Sequence, residues 1–186
     1  MRVVGGRFKG LGLAGPKGEG IRPTSDRLRE AVFNILAHGE DEVLEAARVL
    51  DLCAGTGAMG IEALSRGARS ALFVDLSAEA RALIRGNLEA AGIMGLARIS
   101  KRDATHLGPA GAQGGFTLVF LDPPYGKGIA AKALAGLIRG GWLADGALIV
   151  VEEAAGAFAE PPAGYEAVDR RVYGDTEIHF LRHGAT

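Results

Sequence analysis

A chain of 186 residues with 48% hydrophobic and 23% charged content can build one well-packed core and little else. Its net charge of −1 excludes a uniformly basic nucleic-acid coat, its single cysteine excludes an internal disulfide, and no apolar stretch is long enough to span a bilayer. Met1-Arg2-Val3-Val4-Gly5-Gly6 turns polar too early for a signal peptide, so a cytoplasmic protein is expected.

The charge is unevenly spread. Residues 1 to 30 hold seven basic side chains (Arg2, Arg7, Lys9, Lys17, Arg22, Arg27, Arg29) against three acids (Glu19, Asp26, Glu30). That local excess suits a surface that meets phosphates, although a solvated basic hairpin would look the same. Val3-Val4 and Leu11-Gly12-Leu13 predict a short β-hairpin, followed by a Gly- and Pro-rich loop over 15–20. A helix comes next, with Thr24 or Ser25 as its cap and Leu28, Val32, Ile35 and Leu36 at helical spacing, leaving Arg22, Arg27 and Arg29 to face a substrate. Residues 1–40 are thus expected to form a basic, RNA-facing extension, and 41–186 a Rossmann-like domain.

The apolar run Val49-Leu50-Asp51-Leu52 leads straight into Cys53-Ala54-Gly55-Thr56-Gly57-Ala58-Met59-Gly60 and then a helical stretch stopped by Gly67. Gly55, Gly57 and Gly60 match a dinucleotide fingerprint, and Asp75 follows Gly55 by 20 residues at the end of the strand over 71–74, where it could take two ribose hydroxyls. Asp51 changes that reading. A carboxylate just before the loop repels a pyrophosphate but holds an ammonium group, which S-adenosylmethionine offers without any phosphate. Asp103, after the strand over 97–100, can accept from an adenine amine. Ala54, Thr56, Leu76 and Ala104 flank these positions and complete the expected cofactor set. Cys53 has no base near it in sequence and reads as a small thiol rather than a nucleophile. The four histidines have no metal-ligand spacing, so no metal is expected.

Ser77 opens a helix closed by Gly92. The strand over 116–121 then ends in Asp122-Pro123-Pro124-Tyr125, at the end of the sheet where ligands bind in open α/β folds. The prolines keep the Pro123 carbonyl out of ladder and helix, so that carbonyl and the Asp122 carboxylate can accept both N–H groups of an exocyclic amine while Tyr125 stacks on its ring. A rigid turn capped by a tyrosine is the plain alternative. A helix over 129–138, a fifth buried strand over 147–151 and an antiparallel hairpin of 166–172 with 177–181 finish the chain. The expected fold is α/β: a Rossmann-like methyltransferase sheet of seven strands with its last hairpin antiparallel. On residues alone, adenine-N6 and glutamine-amide acceptors, and a nicotinamide-binding enzyme, stay open.

Four segments stand out: Arg22-Pro23-Thr24-Ser25-Asp26-Arg27-Leu28-Arg29-Glu30-Ala31-Val32-Phe33-Asn34, Glu62-Ala63-Leu64-Ser65-Arg66-Gly67-Ala68 behind the glycine loop, Asp122-Pro123-Pro124-Tyr125-Gly126-Lys127-Gly128, and Tyr173-Gly174-Asp175-Thr176. Together they resemble the bacterial RsmD-type methyltransferases, which act on a guanine N2 in small-subunit (16S) ribosomal RNA. Asp75 stands where that family more often has Glu. The resemblance implies S-adenosylmethionine as methyl donor and a monomer acting on small-subunit RNA, within an assembling 30S particle or free of it. With the basic excess of residues 1–30, the expected RNA surface contains Arg7, Lys9, Arg22, Thr24, Arg27, Arg29 and Lys127.

Overall fold

A computed structural model of the protein describes residues 1–17, 25–39 and 41–184. Arg22 and Thr24 lie outside them. The chain runs α1 (Asp26–His38), β1 (Arg48–Leu52), α2 (Ala58–Ser65), β2 (Ser70–Val74), α3 (Ala78–Ala91), β3 (Ala97–Ser100), β4 (Phe116–Leu121), α4 (Ile129–Arg139), β5 (Leu143–Ala154), β6 (Tyr165–Tyr173) and β7 (Thr176–His183). The strands form one sheet in the order β3-β2-β1-β4-β5-β7-β6. The first five are mutually parallel, and β7 enters antiparallel between β5 and β6. The expected seven strands and antiparallel last hairpin are present.

The apolar runs are continuous because the central strands are covered on both faces. Val49, Phe73 and Phe120 point into one layer with Phe33 of α1, Ile61 of α2 and Ile84 of α3. Leu50, Val119 and Ile149 point into the other with Leu134 and Leu137 of α4 and with Trp142. Helix boundaries follow the caps: the Ser25 and Ser77 hydroxyls accept from Leu28 and Ala80, and Gly92 closes α3 in the left-handed conformation. β5 is longer than its apolar segment, because Leu143 already pairs with Phe116 before a register shift.

The amino-terminal hairpin shrinks to one bridge, Arg2 opposite Gly12, with Val3 N–H donating to the Leu11 carbonyl and Leu13 N–H to that of Met1, both at 2.9 Å. It is too short to stand alone and lies on α2 instead. Arg7 N–H donates to the Ser65 carbonyl (2.9 Å), Val4 N–H to Glu62 Oε2 (3.0 Å), and the Ser65 hydroxyl to the Gly5 carbonyl (2.7 Å). Val3 and Leu13 are buried in the same layer as Phe33.

Arg29 corrects the expected RNA surface. It is fully buried, with Nη2 donating to Asp26 Oδ1 (2.7 Å) and to the Arg2 carbonyl, and Nε 3.5 Å from the equally buried Glu62. The cause lies in the helical period: Arg29 precedes Val32, Phe33 and Leu36 by three, four and seven residues and so shares their inward stripe. Arg7, Lys9, Arg27 and Lys127 are exposed.

Candidate active site

The strand order reverses between β1 and β4, and a cleft of about 600 Å³ opens at the carboxyl ends of the strands there. Asp51, Asp75, Asp103 and Asp122 all line it, each at or just after the end of a different strand. Ala54, Gly55, Thr56, Leu76, Ala104, Pro123, Pro124 and Tyr125 line it as well.

The glycine loop is built around close approach. Asp51 is buried, and its Oδ2 accepts from Gly60 N–H at 3.0 Å. A Cβ at Gly60 would stand 2.4 Å from the Phe73 ring, and Gly57 (φ 79°) starts α2 from a left-handed conformation. Asp75 ties the next strand to the loop: Oδ2 accepts from Gly55 N–H and Oδ1 from Ser77 N–H, both at 2.9 Å. Leu76 beside it is 53% exposed, an apolar surface left open at the cleft. Asp103 Oδ1 accepts from the Thr105 amide (2.8 Å) and hydroxyl (2.7 Å), which hold its carboxyl below the usual carboxylate range.

Burial pushes the Asp51 carboxyl up to about 8, and the neighbouring Asp75 charge adds to it against the pull of Gly60 N–H. The Cys53 thiol is pushed up to about 12, first by burial and then by Asp75, Asp122, Asp51 and Asp103. All four carboxylates therefore act on one spot, and Cys53 stays a protonated thiol, unsuited to nucleophilic attack. Such a negative cleft suits a cationic ligand. Among the described residues, no group of three or more His, Cys, Asp or Glu side chains could hold a metal ion.

Between the end of β4 at Leu121 and the start of α4 at Ile129, Pro123 is buried while Asp122 and Tyr125 are half-exposed toward the cleft. The Tyr125 hydroxyl donates to Glu152 Oε1 at 3.1 Å and lies 3.0 Å from Thr176 Oγ1, so the ends of β5 and β7 fix its ring. The structure thus brings the expected catalytic set and the expected cofactor set, except the buried Gly57, together in one cleft.

Two contributing residues escape sequence reasoning. Glu152 lies in a strand end that reads as ordinary surface. Asn87, buried on α3, accepts from Ala14 N–H (2.7 Å) and donates to the Ala14 carbonyl (3.1 Å) and the Thr56 carbonyl (2.9 Å), linking the amino-terminal segment to the glycine loop. A polar residue amid Ile84 and Leu88 is the available signal. Asn87→Ala should destabilise the fold by about 2–4 kcal/mol, since each stranded buried group costs roughly 1–3 kcal/mol. Urea unfolding measures this, and an unchanged midpoint would deny the link.

A mainly parallel sheet with its cleft at the switch point, a glycine loop backed by the buried Asp51 carboxyl, and acids at four strand ends define a Rossmann-like methyltransferase. The chain superposes on the putative methyltransferase yhhF of Escherichia coli with a TM-score of 0.86 and 32% identity, covering 100% of this chain and 99% of that one. It is 37% identical over 194 residues to the E. coli protein named ribosomal RNA small subunit methyltransferase D, spanning 100% of this chain and 91% of the relative. It is 39% identical over 140 residues to the putative rRNA methyltransferase YlbH of Bacillus subtilis, covering 74% and 73%. Residues 1–182 match the family described as Conserved hypothetical protein 95. The chain belongs to that family, the RsmD type its sequence resembles.

Proposed function

We propose that this protein transfers the methyl group of S-adenosylmethionine to the exocyclic N2 amine of a guanine in small-subunit ribosomal RNA. The observation that carries this reading is the convergence of Asp51, Asp75, Asp103 and the Asp122-Pro123-Pro124-Tyr125 turn on one cleft, in a chain whose relatives are named for small-subunit ribosomal RNA. When bound, the cofactor supplies a methyl group on a sulfonium, whose charge disappears on transfer.

Asp51 holds the ligand's ammonium, Gly55 and Gly57 let backbone approach it, Asp75 accepts from the ribose, and Asp103 accepts from the adenine amine. Ala54 and Thr56 shape the loop, while Leu76 and Ala104 pack on the base. A guanine amine is a weak nucleophile because its lone pair is delocalised into the ring. Asp122 and the Pro123 carbonyl accept its two N–H groups, which localises the pair, and Tyr125 aligns the ring for in-line attack. Asp122 then takes the proton from the methylated, cationic nitrogen. Pro124 keeps the turn rigid. The base must leave its stack to enter, least expensively from a hairpin loop.

Asp51 makes cofactor binding pH-dependent. In the free enzyme its carboxyl titrates near 8, so at pH 7 it is mostly neutral, and a bound ammonium that restores its charge releases a proton. Affinity should rise with pH to about 8 and fall beyond, as the ligand ammonium itself deprotonates near ~7.7–8.0. Stability runs the other way. Between the ordinary 3.8 and about 8 the folded state holds one more proton than the unfolded state, so this group's contribution is full below pH 3.8 and is lost as pH rises toward 8. Asp51→Asn should therefore be more stable than the parent near neutral pH yet bind the cofactor weakly and without proton release. Calorimetry in buffers of different ionisation heat, beside thermal melts at several pH values, decides; a parent that releases no proton would contradict the assignment.

Exposed Arg7, Lys9 and Arg27, together with Lys127 past the active turn and Arg22 and Thr24 outside the described residues, form the proposed RNA contact surface. The partner reading is small-subunit RNA, within an assembling 30S particle, met by a cytoplasmic monomer. Replacing Arg7, Lys9 and Arg27 by alanine should flatten the salt dependence of RNA binding by roughly 0.7–0.9 in log–log slope per lost phosphate contact, with cofactor affinity unchanged. An unaltered slope would make this a solvated face. The reading as a whole is tested in a deletion strain, whose small-subunit RNA should lack one N2-methylguanosine that the restored gene returns; an unchanged methylation map would overturn it.

A further inference from the structure

Cofactor binding and the amine clamp give no task to Glu152, the cleft carboxylate next to the catalytic turn. Glu152 stands near the end of β5, directly after Val151, which pairs with Leu121 just before Asp122. It lines the same cleft as Asp122, Pro123 and Tyr125, and its Oε1 accepts from the Tyr125 hydroxyl at 3.1 Å. Two carboxylates on neighbouring parallel strands therefore face the space where the target base must lie. One of them is oriented by the residue that stacks on that base.

The chemistry of the bases gives this second carboxylate a task. Guanine presents a ring N1–H beside its N2 amine, three donors in a row, whereas adenine presents an unprotonated N1 beside its N6 amine. Asp122 and the Pro123 carbonyl take the two amine protons in either base and so do not tell them apart. A carboxylate is acceptor-only, so it bonds N1–H of guanine and repels the N1 lone pair of adenine. Resting on the proposed N2 reading, we infer that Glu152 is the base-reading residue: its carboxylate accepts guanine N1–H and thereby selects guanine over amino-bearing bases with an unprotonated N1. The Tyr125 hydroxyl, itself 3.0 Å from Thr176 Oγ1, donates to it and holds it in place. A site built to accept a substrate N–H rejects analogues lacking that proton far more strongly than packing alone can.

The test compares guanine with 2-aminopurine, which keeps the 2-amine but has an unprotonated N1. Single-turnover methylation would be measured on small-subunit RNA carrying either base at the modified position, for the parent, Glu152→Gln and Tyr125→Phe. Gln still accepts from the Tyr125 hydroxyl, but its amide can also donate to an unprotonated N1. Glu152→Gln should lower transfer to guanine at least tenfold while leaving or raising transfer to 2-aminopurine, so that the guanine preference falls by ten- to a hundredfold. Tyr125→Phe, which loosens Glu152 without removing its charge, should slow both substrates and narrow the preference less than Glu152→Gln does. Equal losses on both bases in Glu152→Gln would reduce Glu152 to a support for the tyrosine and overturn the inference. A parent that methylates neither base at N2 would instead overturn the function on which the inference rests.

Discussion

Asp122→Ala should lower the single-turnover rate of methyl transfer by at least two orders of magnitude, with fold, cofactor affinity and most RNA affinity intact. The carboxylate acts on the amine as it becomes cationic, so its loss falls on the transition state rather than on binding. The backbone around it is held independently: β4 pairs with β1 and β5 up to Leu121, and Pro123 and Pro124 stiffen the turn beyond. Asp122→Asn should be milder, because an amide oxygen still accepts one N–H but takes no proton. An alanine variant within a few-fold of the parent would mean that another group orients the amine.

The second large effect is expected at Asp75. Its carboxylate accepts from Gly55 and Ser77 N–H groups and, in the proposed complex, from the ribose as well. Hydrogen bonds to a charged group contribute about 1.5–3 kcal/mol each, so Asp75→Ala should weaken S-adenosylmethionine binding more than 100-fold. Because the glycine loop loses its tie to β2 in the same step, Asp75→Asn, which keeps one acceptor, should recover part of the loss. Calorimetric titration of folded variants is the measurement. Unchanged affinity in Asp75→Ala would remove this residue from the cofactor site.

Much of this is legible in the chain because the decisive signals are local. Strands buried on both faces read as apolar runs, Ser25 and Ser77 announce helices, and Asp51, Asp75 and Asp122 stand in or just after such runs. The residues that escape depend on contacts distant in sequence. Arg29 reads as RNA surface when its charge is weighed above its place on the stripe of Val32, Phe33 and Leu36; its partner Glu62 lies two elements away. Asn87 has meaning only once Ala14 and Thr56 meet it. Glu152 is indistinguishable from surface charge until β5 is known to lie beside β4. The amino-terminal hairpin is visible in the sequence as a turn, but only α2 beneath it accounts for its survival at a single bridge.

The most direct measurement is to incubate the purified protein with methyl-labelled S-adenosylmethionine and small-subunit particles from a strain lacking this gene, then digest the RNA and separate its nucleosides. The expected result is label in N2-methylguanosine at one position, abolished by Asp122→Ala. Label in N6-methyladenosine or in protein, or none in RNA at all, would contradict the proposed function.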